Sequence, residues 1–293
     1  MLIKSQLTFI TTGDINAMWL RDSANQLQSY KSLLKPNSSS ASLASLFRGA
    51  INLQARYILA SPHCNAFQPP TEANLTAAVP SGVGATGTVD FVYPSPDAQA
   101  VFECKYELDS LAAFFQLSHD YYSQTGDETF FGQHQWINAV EAILNTTTAL
   151  LAGTYQDDGA VAFSPYQFQR QTSVSSETLG NAGAGPPVRG GTGLVRSAFR
   201  PSDDACTYQL FIPANMMFSR YLDLCADIME KLPQRGEKAG RMREFAASIR
   251  MGIEKYGRTD HRLFGRIYAY EVDGYGSHNV MVSFRSGVFF SLW

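Results

Sequence analysis

The 293-residue sequence is poor in charge, cysteine and histidine. Only 17% of its residues are charged and the net charge is −3, so it offers no basic field for nucleic acid or an anionic membrane surface. Its four cysteines form no CxxC pair and its five histidines form no HExxH motif. We therefore expect no bound metal and no cofactor, and the cysteines of a chain this long imply no disulfide framework.

Long apolar runs are also absent. No stretch reaches the length of a membrane-spanning helix, and the first ten residues mix short apolar stretches with polar residues, unlike a signal peptide. We expect no membrane partner, and the sequence leaves the compartment open. The 45% hydrophobic content is ample for one large core or two smaller ones.

The sequence does contain segments with helical periodicity, and these segments come in pairs. Six segments show helical spacing and are separated by turn signals: 15–34, 42–60, 107–123, 128–151, 207–230 and 237–256. Asp127 is placed to cap the fourth helix. Two long segments rich in Gly, Pro and Ser, 61–106 and 152–206, separate the pairs, and such loops usually build a site. The pattern predicts an all-α fold with minor β hairpins, an (α/α)6 toroid-type barrel that is incomplete in this chain.

The run from Thr12 to Ser23 is the most informative stretch. It combines carboxylates, an aromatic ring and a guanidinium in Asp14, Trp19, Arg21 and Asp22. A tryptophan face suits a sugar ring, and an Arg–Asp pair supplies donors and acceptors for vicinal hydroxyls. The alternative is structural: a buried Arg–Asp pair and a core tryptophan at a helix start.

Two further segments carry pairs of acidic residues. Glu107 and Asp109 open the third predicted helix, where capping and compensation of the helix dipole are the alternative to ligand binding. Glu271 and Asp273 alternate onto one face of a strand-like segment that ends in a glycine turn. An exposed hairpin end is the alternative for this second pair.

Adjacent carboxylates lie near the end of the second glycine-rich segment. Asp203 and Asp204 come shortly after Arg200 and before a predicted helix. One of the two could cap that helix while the other points at a ligand. A carboxyl beside apolar surface and another anion has a raised pKa, which a general acid requires.

The sequence resembles glycoside hydrolase family 125, the exo-α-1,6-mannosidases, in its fungal branch. Four segments carry the resemblance, in the family's order and between residues 12 and 281: TGDINAMWLRDSANQL, KYELDSL, FRPSDDACTYQLFIPANM and YAYEVDGYGSHNVM. The resemblance implies an (α/α)6 barrel. It also implies single-displacement, inverting hydrolysis of terminal non-reducing α-1,6-linked mannose without a metal.

The resemblance also assigns site residues. It implies that the general acid is Asp203 or Asp204, and the sequence leaves that choice open. The Trp-x-Arg-Asp segment would line the pocket for the terminal sugar. The predicted substrate-binding residues are Asp14, Trp19, Arg21, Asp22, Glu107, Asp109, Arg200, Glu271 and Asp273. The substrate would be a mannose-containing oligosaccharide or glycoprotein glycan, and we expect a monomer.

The resemblance ends at Met281, where the family continues with further helices. We therefore expect residues 1–281 to form a partial catalytic domain and residues 282–293 to be an aberrant tail. The family's catalytic base is a glutamate in that C-terminal part, and no residue of this chain can be assigned to it. A non-catalytic mannoside-binding remnant is the alternative, whereas a scaffold without a sugar ligand has no need for so many clustered carboxylates.

Overall fold

The computed structural model describes residues 6–80 and 90–281, and helices dominate this part of the chain. The α-helices are α1 (Leu20–Gln28), α2 (Leu43–Ala60), α3 (Leu108–Thr125), α4 (Glu128–Gln133), α5 (Trp136–Ala149), α6 (Ile212–Lys231) and α7 (Gly236–Tyr256). Short 3-10 helices lie at Lys31–Leu33, Thr71–Ala73 and Ser175–Glu177. The prediction of a mainly helical fold with minor β structure is thus confirmed.

The strands are short and all their pairings are antiparallel. They are β1 (Met18–Trp19), β2 (Ala66–Phe67), β3 (Phe91–Tyr93), β4 (Val101–Glu103), β5 (Gln167–Gln169), β6 (Leu210–Phe211), β7 (Arg258–His261), β8 (Gly265–Tyr268), β9 (Glu271–Val272) and β10 (His278–Asn279). Two three-stranded sheets have the orders β1-β2-β4 and β10-β9-β6, and β3-β5 and β7-β8 form two-stranded sheets. The first sheet ties the start of α1 to the long segment 61–106, and the second ties the start of α6 to residues 271–279.

Two helices begin later than the periodicity predicts, because short strands precede them. Helix α1 begins at Leu20 rather than near residue 15, because Met18 and Trp19 are extended and pair with β2. Helix α6 likewise begins at Ile212, since the two residues before it pair with β9. Pro213 fits its first turn because an N–H there has no partner within the helix.

The segment 128–151 is two helices rather than the one predicted. Helix α4 ends at Gln133 and α5 begins at Trp136. The predicted cap is confirmed, since the Asp127 side chain accepts a hydrogen bond from the Phe130 N–H. Phe131 and Trp136 pack edge to face across the break, with ring centroids 4.9 Å apart.

The core lies between the helices. Helices α6 and α7 form a hairpin, α3 packs on α6 and α1, and α2 packs on α3 and α5. Large fully buried side chains fill these contacts, including Phe47, Phe114, Phe115, Trp136 and Phe218. Among the described residues, no helix combines the length and the hydropathy that crossing a membrane requires.

One disulfide joins two of the cysteines. Cys64 and Cys104 are bonded, whereas Cys206 and Cys225 are buried free thiols. The bond lies beside the paired strands β2 and β4. The sequence did not predict it, because a single bridge across 40 residues leaves no spacing pattern. The predicted tail, 282–293, lies outside the described residues.

Candidate active site

Arg21 joins three of the predicted site segments. It lies in the first turn of α1, and its Nη1 donates to Glu107 Oε2 at 2.7 Å and to Asp109 Oδ2 at 2.9 Å. Its Nη2 donates to the Pro201 carbonyl oxygen at 2.9 Å and lies 3.2 Å from Asp22 Oδ2. The planar five-donor fork of arginine allows such multiple contacts. The Trp-x-Arg-Asp, Glu-Leu-Asp and Arg-Pro-Ser-Asp-Asp segments therefore meet at one guanidinium.

Glu107 and Asp109 form a buried acidic pair at the start of α3. Burial, and then the charge of Asp109, raise the pKa of Glu107 well above its usual range, while Arg21 opposes the shift. Burial also raises the pKa of Asp109. Glu107 makes no capping bond, since its Oε2 accepts from the Ser110 hydroxyl at 2.9 Å as well as from Arg21. Glu107 Oε1 and Asp109 Oδ1 are buried without a hydrogen-bond partner among the described residues.

Asp203 occupies a tight turn beside this cluster. Its N–H donates to the Arg200 carbonyl oxygen at 2.9 Å, and its backbone adopts a left-handed φ of 65°. Aspartate tolerates that conformation better than most residues, but the strain is worth about 1–2 kcal/mol. Burial, followed by repulsion from Glu103, raises the pKa of Asp203, whereas Lys105 and Arg21 oppose that rise.

Asp204 has a different environment in the same turn. Its Oδ2 accepts a 3.0 Å hydrogen bond from the Ser202 hydroxyl, and its carbonyl oxygen accepts from the Arg200 N–H at 2.8 Å. Neither adjacent aspartate caps α6, because that helix starts only at Ile212. The capping alternative for this pair is therefore wrong.

Trp19 and Asp14 differ in burial. The half-buried Trp19 ring packs edge to face on Phe102, with centroids 5.3 Å apart, in a small cluster with Ala17 and Ala66. Part of the Trp19 residue remains exposed to solvent. Asp14 is exposed in the loop before β1.

Arg200 and Glu271 bind each other. Arg200 Nε donates to Glu271 Oε1 at 2.6 Å, and this hydrogen bond raises the pKa of Arg200. The other carboxylate oxygen of the fully buried Glu271 accepts from the N–H groups of Thr207 and Tyr208 and from Asn279 Nδ2. These contacts connect the Asp203 turn to β9, and their geometry positions protein rather than ligand groups.

Asp273 closes the loop between β9 and β10. Its Oδ1 accepts hydrogen bonds of 2.7 to 3.0 Å from the N–H groups of Tyr275, Gly276 and Ser277. Burial would raise the pKa of Asp273, but these bonds to Ser277 and its neighbours lower it below its usual range. The carboxylate is thus engaged by its own loop, and its predicted contact with substrate stays a prediction.

Sequence reasoning missed a second charged group next to Asp203. Arg170 donates to both oxygens of Asp90, at 2.9 and 2.7 Å, and to Glu103 Oε1 at 3.3 Å. Lys105 Nζ lies 3.5 Å from Glu103 Oε1. The side-chain nitrogen of Asn65 lies 3.4 Å from both Glu103 Oε2 and Asp203 Oδ1.

Paired helices and an acidic, loop-built site beside a half-buried tryptophan have the form of a helical glycoside hydrolase. Residues 2–283 match the family model described as metal-independent alpha-mannosidase (GH125). The chain therefore belongs to glycoside hydrolase family 125, as its four motifs predicted. Among residues 6–80 and 90–281, no group of three or more His, Cys, Asp or Glu side chains is placed to hold a metal ion.

Two similar proteins support this membership. The Meiotically up-regulated gene 157 protein of Schizosaccharomyces pombe is 43% identical over 271 residues, which cover 92% of this chain and 51% of that protein. A solved structure of a metal-independent alpha mannosidase from Streptococcus pneumoniae, in a non-productive complex with alpha-1,6-mannobiose, is 30% identical with a TM-score of 0.75. The match covers 92% of this chain and 58% of that one. The (α/α)6-type fold is thereby confirmed, and the chain spans little more than half the length of these relatives.

Proposed function

We propose that this chain carries the sugar-binding face and the general acid of an inverting exo-α-1,6-mannosidase, with Asp203 as the acid. The observation that carries the proposal is the convergence of three segments on Arg21, which places the Asp203 turn beside the buried pair Glu107 and Asp109. The substrate is a mannose-containing oligosaccharide or glycoprotein glycan. The similar mannosidase with alpha-1,6-mannobiose supports this class of substrate.

The environment of Asp203 favours it over Asp204 as the acid. A general acid must hold a proton near neutral pH, and burial and the neighbouring Glu103 both raise the pKa of Asp203. Asp204 Oδ2 instead accepts a hydrogen bond from the Ser202 hydroxyl within the turn. The left-handed backbone at Asp203 is a second sign of function, because strained residues concentrate at active sites.

The reaction then needs two carboxyl groups. Asp203 donates its proton to the glycosidic oxygen, while a carboxylate about 6.5–9.5 Å away activates water on the opposite face of the sugar. The free oxygens of Glu107 and Asp109 accept hydrogen bonds from sugar hydroxyls, and Trp19 stacks on the ring. We assign no described residue as the base, and the glutamate C-terminal to Met281 that the resemblance implies stays a prediction.

Binding to the 293-residue chain tests the first half of this proposal. Isothermal titration should show that α-1,6-mannobiose binds and that isomaltose, its glucose counterpart, binds less tightly. Glu107→Gln should weaken the mannobiose interaction, whereas Glu72→Gln, on the exposed surface, should not. Equal binding of the two disaccharides would contradict a mannose-specific site.

Hydrolysis tests the second half. No described residue is assigned as the base, and general-base activation of water is worth a factor of about 10²–10⁴ in rate, so we expect binding with little turnover. If mannose is released, proton NMR should first detect the β anomer, as inversion of an α linkage requires. Release of the α anomer would contradict the inverting mechanism, and brisk turnover would mean that a carboxylate of this chain serves as base.

A further inference from the structure

Asn65 connects three segments of the candidate site. The residue is fully buried, and its carbonyl oxygen accepts from the Leu20 N–H at 3.0 Å, where α1 begins. Its side-chain oxygen accepts from the Lys105 N–H, also at 3.0 Å. Its side-chain nitrogen faces two carboxylates, Asp203 Oδ1 and Glu103 Oε2, each at 3.4 Å.

This arrangement suits the chemistry of an amide. The Asn65 side chain has two N–H donors, so it can face two anions that would otherwise repel each other directly. Glu103 is itself fixed by ion pairs with Arg170 and Lys105. The amide is therefore held from one side by a fixed carboxylate and presents its other donor to Asp203.

The disulfide lies next to these contacts in the sequence. Cys64 directly precedes Asn65, and Cys104 stands between Glu103 and Lys105. Strands β2 and β4 pair at the same point, where Ala66 lies opposite Glu103. These strands are two and three residues long, so their hydrogen bonds alone stabilise the pairing little. The covalent bond therefore fixes their register.

We propose that Asn65 is a positioning residue for Asp203, and that the Cys64–Cys104 disulfide holds Asn65 in that position. The inference rests on the proposed function in taking Asp203 as the acid. Asn65 acts through Asp203 and not on the substrate. A fixed donor on one carboxylate oxygen restricts the rotation of the carboxyl group and aims its other oxygen, which is the precision that proton donation requires.

The test is the titration of the Asp203 carboxyl carbon by ¹³C NMR in the complete 293-residue chain. Asn65→Leu keeps the approximate volume but removes the donor that stabilises the charged carboxylate. The pKa of Asp203 should therefore rise, by on the order of one unit. Asn215→Leu is the matched control, because Asn215 is equally buried and hydrogen-bonds Val195 and Phe211. It should cost stability without moving the Asp203 titration.

Reduction of the disulfide gives a second measurement that needs no substitution at Asn65. Dithiothreitol supplies two electrons and two protons, so the S–S bond becomes two thiols while the reagent closes to its cyclic disulfide. The Asp203 pKa should rise as in Asn65→Leu, and the Asn65 side-chain amide signal should move. The double variant Cys64→Ser, Cys104→Ser should give the same titration, with no further change on adding dithiothreitol.

The outcomes separate this inference from the proposed function. An unchanged Asp203 titration in a folded Asn65→Leu protein overturns the positioning role, even if the mannoside still binds. An unchanged titration after reduction overturns the role of the disulfide. Shifts in both measurements support the positioning role. If those shifts occur in a chain that binds no mannoside, Asn65 still positions Asp203 and it is the proposed function that fails.

Discussion

Arg21 Nη2 donates a 2.9 Å hydrogen bond to the main-chain oxygen of Pro201, 180 residues further along the chain. The same guanidinium contacts the buried carboxylates of Glu107 and Asp109. One cation thus holds the start of α1, the start of α3 and the Asp203 turn together. Arg21 therefore links the packing of the two helices to the candidate site.

Replacing Arg21 should be strongly destabilising. Arg21→Met leaves Glu107 and Asp109 buried without their cation. Removing one partner of a buried ion pair typically costs about 3–5 kcal/mol in the free energy of unfolding. Urea unfolding followed by circular dichroism measures this loss. Arg56→Met is the control: the Arg56–Glu72 pair has about half of each side chain exposed, so about 0–1 kcal/mol is expected. Similar losses in the two variants would contradict the central role of Arg21.

The helices were predictable because each buries one face, and burying one face requires apolar residues at helical spacing in the sequence. Helices α2, α3 and α7 accordingly start and end within two residues of the predicted segments. The starts of α1 and α6 were not predictable in this way. They depend on pairing with β2 and β9, which are distant in sequence and only two residues long.

The candidate site was predicted in part for a similar reason. Arg21, Glu107 and Asp203 stand in dense polar motifs, whereas Asn65 and Glu103 lie outside the four segments that carry the family resemblance. A local signal for the last two did exist. Each is directly adjacent to a cysteine, but only the pairing of Cys64 with Cys104 shows that they meet.

Glu107 should make stability fall as the pH rises. Its pKa in the folded chain lies above the unfolded value near 4, so between the two values only the folded state retains the proton. The free energy of unfolding decreases with pH through that window. Glu107→Gln removes this slope, so the stability of the variant minus that of wild type should increase from about pH 4 upward. Urea unfolding at several pH values checks it, and a flat difference would refute the raised pKa.

Asp273 should show the opposite dependence. Its pKa is lowered in the folded chain, so its contribution is present above the unfolded value near 4 and is lost as the pH falls through the folded value. Asp273→Asn should therefore cost most above about pH 5, and the cost should shrink in acid. The same unfolding series measures it. A cost that grows toward low pH would show that the loop does not hold a carboxylate.

The disulfide should contribute substantially to stability. It closes a loop spanning 40 positions, and bonds of this kind typically contribute about 2–4 kcal/mol. Cys64→Ser with Cys104→Ser should lower the free energy of unfolding by that amount. Cys225→Ser, at a buried free thiol, should respond to a reducing agent as wild type does. If a reducing agent left the free energy of unfolding of the wild-type protein unchanged, that result would contradict the presence of the disulfide bond.

The assignment of Asp203 as the general acid is tested most directly by its leaving-group dependence. The measurement uses this chain extended by the part of the S. pombe relative that lies beyond the matched region. Asp203→Asn should lower kcat/KM for α-1,6-mannobiose by about 10²–10⁴ and largely retain activity on 2,4-dinitrophenyl α-mannoside, whose leaving group needs no proton. Asp204→Asn should lose less, and equally on both substrates. Equal losses for the two variants, with no rescue by the activated substrate, would contradict the account.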